Sequence, residues 1–171
     1  MKSRITQAVL ITTLASASTL ALAETNMSGG DDLAKKLYLG GGLSYNTVDS
    51  PFGGGSIDAT GVQGLVGLDL GHHSGGISTK LEVGYSQTDD FDNTNQNISG
   101  LWGALVAEKS LPEIDRNLSL LGRVGVDVGD DDGILTGVGV GYQLTNELQL
   151  RGEFINKDAS NQYMGSLIFH L

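Results

Sequence analysis

The residues of this chain best equipped for chemistry are charged side chains set into otherwise uncharged alternating segments: Asp69, Lys80, Glu82, Arg123, Asp127, Arg151 and Glu153. Successive side chains on a strand point to opposite faces. Lys80 and Glu82 therefore project together, as do Arg123 with Asp127 and Arg151 with Glu153, each sharing a face with Gly, Ser or Gln while the opposite face is aliphatic. Two chemistries follow. Paired with one another, these groups form an ion-pair network that fills an interior; left solvated, they line an ion path. An unpaired buried charge is costly and both signs are present for pairing, so the network is the expectation.

Three other signals resemble sites. Gly137-Val-Gly-Val-Gly141 has the glycine spacing of a phosphate loop, but it lies inside an alternating segment and no helix follows to offer its N-terminus. Asp130-Asp-Asp-Gly133 offers hard oxygen ligands for calcium or magnesium but lacks the remaining ligand spacing, which makes it a solvated hairpin. His72-His73 sits in a Gly-rich turn, where adjacent histidines are usually exposed. The chain has no Cys, so a disulfide frame, a thiolate metal site, a thiol nucleophile and an acylated lipoprotein anchor are all excluded. No catalytic, cofactor or metal site is expected.

The strands that carry these charges follow a leader. Lys2 and Arg4 precede a mostly apolar run from Ala8 to Leu22, and Ala21-Leu-Ala23 offers small residues to a signal peptidase. Residues 1–23 are read as a cleaved signal peptide and 24–36 as a short polar periplasmic lead-in. Residues 37–171 then form the folded domain. Removing 23 of the 171 residues leaves 148, and the loss of Lys2 and Arg4 takes the formal charge from −10 to −12. That acidity argues against nucleic acid as a partner. No later stretch approaches the roughly 20 apolar residues of a spanning helix, so any crossing of a membrane uses strands.

Eight strands are expected: Leu37–Asn46, Gly61–Leu70, Ile77–Ser86, Ile98–Ala107, Leu118–Val128, Ile134–Leu144, a seventh beginning at Leu148, and the closing Tyr163–Leu171. In the last, Tyr163, Gly165, Leu167, Phe169 and Leu171 alternate with Met164, Ser166, Ile168 and His170. The third is the clearest, with Ile77, Thr79, Leu81, Val83 and Tyr85 opposing Ser78, Lys80, Glu82, Gly84 and Ser86. In the fourth, Trp102, Ala104 and Val106 compete with Leu101, Leu105 and Ala107 for the outer face, and Trp102 is assigned outward. A soluble barrel would have its charges outside and its aliphatics inside. Here the charges share a face with Gly and Ser, and alternation fixes which residues travel together.

The connections suggest an orientation. With both termini periplasmic, the outer loops are Thr47–Thr60, Gln87–Asn97, Gly129–Gly133 and Asn156–Gln162, holding Asp49, Asp58, Asp89, Asp90, Asp92, Asp130, Asp131, Asp132 and Asp158. The inner turns are Gly71–Gly76, Glu108–Asn117 and Leu144–Glu147. Two of these three are short, as outer-membrane barrels prefer. Tyr45, Tyr85, Phe154 and Tyr163 fall at outer strand ends, and Tyr142 and Phe169 at inner ends, the pattern of two aromatic girdles.

Through Gly-Val-Gly-Val-Gly-Tyr-Gln-Leu (137–144), the turn Thr-Asn-Glu and Leu-Gln-Leu-Arg-Gly-Glu-Phe (148–154), the chain resembles the OmpA-like family of small outer-membrane β-barrel proteins over residues 37–171. The resemblance implies an all-β fold, an eight-stranded antiparallel up-and-down transmembrane barrel, with a charge network filling the interior. It also implies outer-membrane lipid and lipopolysaccharide as surroundings, and recognition of the last strand by the outer-membrane assembly machinery. That family usually ends on an aromatic residue, whereas this chain ends on Leu171 with Phe169 two before it.

The role expected is that of a monomeric, porin-like but non-catalytic barrel, structural or surface-interacting, in the Gram-negative outer membrane. The alternatives are a narrow pore and a barrel enzyme that modifies lipid or lipopolysaccharide. The enzyme needs an acid–base array near the outer leaflet, and His72, His73 and His170 all map to the inner end.

Overall fold

The computed structural model describes residues 33–49, 56–73, 75–91, 96–158 and 160–171. The leader and most of the lead-in lie outside the described residues, as does Asp92. Eight strands follow in order: β1 (Leu37–Asp49), β2 (Ser56–His73), β3 (Ile77–Thr88), β4 (Ser99–Ser110), β5 (Leu118–Gly129), β6 (Gly133–Gln143), β7 (Leu148–Asn156) and β8 (Ser160–His170). Each pairs antiparallel with its sequence neighbour, and β1 pairs with β8 to close a barrel.

The registers set the width of that barrel. Crossing paired residues from Ser119 through Gly141, Arg151, Ser166, Gly42, Gln63, Ser86 and Gly100 returns to β5 at Gly129, ten residues on from 119 to 129. With eight strands and a shear of ten, ordinary strand spacings give a tilt of about 40° and a backbone radius of about 8 Å. A cylinder that narrow is filled by side chains.

Alternation carries through every strand, one face aliphatic and exposed and the other packed within. Leu43, Val62, Val83, Leu101, Val124, Ile134, Val138 and Leu167 are exposed on the outside, while Tyr38, Leu65, Trp102, Ala104, Leu135, Ile155, Met164 and Ile168 pack within. No helix among the described residues is long and apolar enough to cross a membrane. The turn before β3 uses positive φ at Gly75 (89°) and Gly76 (74°), a conformation glycine adopts without steric cost. Asp69 stands at a β-bulge in β2 and accepts the Gly71 N–H at 2.7 Å.

Two sequence expectations are corrected. Several strands outrun their expected ends: β1 continues to Asp49, β2 starts at Ser56, β3 reaches Thr88 and β4 reaches Ser110. The backbone ladder continues past the end of the aliphatic pattern into polar sequence, so these strands exceed the about 9–11 residues that a membrane-spanning strand needs. Trp102 points inward and is 3% exposed. Its partner across the ladder is Gly84, and Ala104 and Val106 face Glu82 and Lys80. Directly opposed residues share a face, so the charged face of β3 dictates the parity of β4. Gly84 also makes room for the ring, since a Cβ there would stand 2.5 Å from the Trp102 indole.

Candidate functional site

The interior charges form three layers along the barrel axis. The middle layer centres on Glu82, which is completely buried. It accepts hydrogen bonds from Tyr38 Oη (2.8 Å), Arg123 Nη2 (3.1 Å) and Arg151 Nη1 (2.5 Å). Arg123 also reaches a carboxylate oxygen of Glu153 at 2.8 Å. These groups stand on β1, β3, β5 and β7, so their bonds run across the lumen and not along its wall.

Toward the end where β1 begins and β8 finishes, the termini of the barrel, Glu108 takes Lys80 Nζ at 2.5 Å and Gln149 Nε2 at 2.7 Å. Arg151 Nε donates to Gln149 Oε1 at 2.8 Å, which joins this layer to the middle one. Toward the opposite end, Lys157 Nζ donates to Asp127 Oδ2 at 2.6 Å, and Ser160 Oγ donates to Asp131 Oδ2 at 2.5 Å. Aromatic rings hold the cations in place. Arg123 lies 5.4 Å from the Trp102 ring centre, and Lys80 and Arg151 lie 5.4 and 5.6 Å from that of Tyr38.

Of the seven charges singled out from sequence, Lys80, Glu82, Arg123, Asp127, Arg151 and Glu153 are buried and ion-paired. Asp69 is half-buried and bonds its own bulge, apart from them. Sequence reasoning missed Glu108 and Lys157, having placed both in connections. The missed signal was parity: Glu108 continues the inward series of Val106, and Lys157 that of Ile155. Among the described residues four buried cations, Lys80, Arg123, Arg151 and Lys157, then face five buried carboxylates, Glu82, Glu108, Asp127, Asp131 and Glu153.

The interior groups are bonded to one another across the lumen. The gap lined by Trp102, Arg123, Lys157 and their neighbours measures about 10 Å³, room for about one water. Among the described residues no group of three or more His, Asp or Glu could hold a metal ion. The aspartates of the Asp130–Gly133 hairpin are engaged separately, Asp130 by the Ser99 N–H and hydroxyl and Asp131 by Ser160. The glycines 137, 139 and 141 lie within β6, facing inward. His170 packs against Tyr38 at the termini-bearing end, with ring centroids 5.2 Å apart. The side chains of His72 and His73 lie outside the described residues.

On the outer wall, Phe154, Tyr163 and Tyr45 are opposed across β7, β8 and β1 in one row, with the Phe154 and Tyr163 rings 5.1 Å apart. Tyr85 is half-buried on β3, and Tyr142 and Phe169 are exposed near the other end.

A closed, lipid-faced barrel of eight strands with an ion-paired interior defines a small transmembrane β-barrel protein. The chain belongs to the outer membrane protein beta-barrel domain family, whose model matches residues 8–163. It is similar in structure to Neisserial surface protein A, with a TM-score of 0.54 at 12% identity, over 79% of this chain and 97% of that one. A de novo designed transmembrane β-barrel gives a TM-score of 0.58 at 15% identity, over 80% and 96% of the respective chains. At these identities the likeness is one of fold. No curated protein matches the sequence significantly.

Proposed function

We propose that this protein is a non-catalytic, monomeric barrel of the Gram-negative outer membrane, exported through a cleaved leader. Its ion-paired interior acts as a structural plug, and it presents an acidic surface to the outside. The observation that carries the plug is the contact of Glu82 with Arg151, which joins opposite walls through the middle of the lumen. Charge distribution supports the orientation. Of the basic residues beyond the leader, Lys80, Arg123, Arg151 and Lys157 are buried in the lumen, and Lys35, Lys36, Lys109 and Arg116 belong to the end with the termini. Among the described residues the opposite end carries aspartates and no cation outside the lumen.

A lipid-modifying enzyme would need a solvent-accessible acid–base array at the outer leaflet. His170, at the termini-bearing end, supports no such array. The test of the plug is conductance: purified protein in a planar bilayer gives no steady single-channel current. Ion-selective current through the unmodified protein would establish a pore instead.

A further inference from the structure

The lipid-facing wall carries a groove across β3, β4 and β5. Thr79 opposes Ala107, and Ala107 opposes Gly122, all on the outward face. The next outward row in one direction is Leu81, Leu105 and Val124; in the other it is Ile77, Lys109 and Leu120. Beside this row of short residues lies an open space of about 320 Å³, lined by Thr79, Leu105, Ala107, Gly122, Val124 and Gly137, with Lys109 outside its lining. Gly122 opens this space directly, since a Cβ there would meet nothing within 4 Å.

Lipid tails are as apolar as the groove, so no hydrophobic preference selects what fills it; packing shape and polar anchoring decide. The anchor is Lys109, an exposed residue two positions along β4 from Ala107 and on the same outward face. Its opposed neighbours are Ile77 and Leu120, so no carboxylate neutralises it from either strand. By strand tilt and spacing it lies within about 3 Å of the level of Tyr142 and Phe169, at the membrane–water boundary on the side of the termini.

We propose that this groove is a binding site for one glycerophospholipid of the periplasmic leaflet, with an acyl chain along Thr79, Ala107 and Gly122 and the phosphate on Lys109. The inference rests on the membrane embedding and orientation proposed above. Lipopolysaccharide fits less well, because its anionic headgroup belongs to the opposite leaflet, where this wall offers no Lys or Arg. A second copy of the chain would fill the groove but leave Lys109 without an anion.

Native mass spectrometry of the mature protein, released from nanodiscs of phosphatidylethanolamine and phosphatidylglycerol, tests the site. One phospholipid should survive collision energies that strip the rest. Gly122→Leu, which fills open space, should abolish the retained adduct, and Lys109→Glu should weaken it at least about five-fold. Gly152→Leu, on β7 and likewise facing open space, should change nothing. Heat-dependent gel migration checks folding and insertion separately, and Lys109→Glu decides the matter alone if Gly122→Leu does not fold. Equal retention in the unmodified protein and Lys109→Glu overturns the proposal, as does a retained lipopolysaccharide or a dimer in place of the phospholipid.

Discussion

Glu82 on β3 and Arg151 on β7, 69 positions apart in sequence and four strands apart around the barrel, meet at 2.5 Å with both side chains buried. In an eight-stranded barrel four strands is half the circumference, so this bond spans the lumen. Arg123 and Tyr38 converge on the same carboxylate from β5 and β1. One acidic side chain therefore ties four alternate strands together, which is the physical content of the plug.

Removing one member of such a network strands a charge away from water. Arg123→Ala and Arg151→Ala should each destabilise the folded barrel by about 3–5 kcal/mol, measured by urea unfolding in lipid vesicles. In a water-filled pore the stranded carboxylate would be solvated; unchanged stability with altered ion selectivity would refute the plug.

Trp102 is the only tryptophan of the chain, which makes its direction measurable. Packed inside against Arg123, it should keep its fluorescence in brominated lipids, whose quenching is short-ranged. Strong quenching by bromines at mid-membrane depth would put the indole on the lipid face.

Gly67 lies against the ring of Tyr38, and a Cβ there would collide with it. Gly67→Ala should displace Tyr38 from Glu82 and lower stability by about 1–3 kcal/mol. Gly165→Ala, facing open space on the outer wall, should leave the unfolding midpoint close to that of the unmodified protein.

The mature protein should begin near Glu24, as the small residues Ala21 and Ala23 direct, and should migrate differently on a denaturing gel before and after boiling, because a closed barrel has no edge from which to unzip. Intact mass of the membrane fraction reads the first; a chain that retains Met1 would remove the leader.

The number of strands, their order and, for seven of them, which side chains face outward were legible in the sequence alone. Alternation is local and every spanning strand must show lipid an apolar face, so Ile77–Ser86 and Leu118–Val128 carry their own answer. The sequence also determined that Lys80 with Glu82, and Arg151 with Glu153, travel together inside. Tertiary structure decided what local pattern cannot. Both faces of Ser99–Ala107 are apolar, and only pairing with the charged face of β3 turned Trp102 inward. Glu108 and Lys157 lie where lipid no longer imposes alternation, so only the continuing ladder revealed them as members of the interior. The choice of partners, Glu82 with Arg151 and not merely with the nearer strand, followed from the shear of ten and the narrow radius it imposes. Those are properties of a closed sheet, which no single strand encodes.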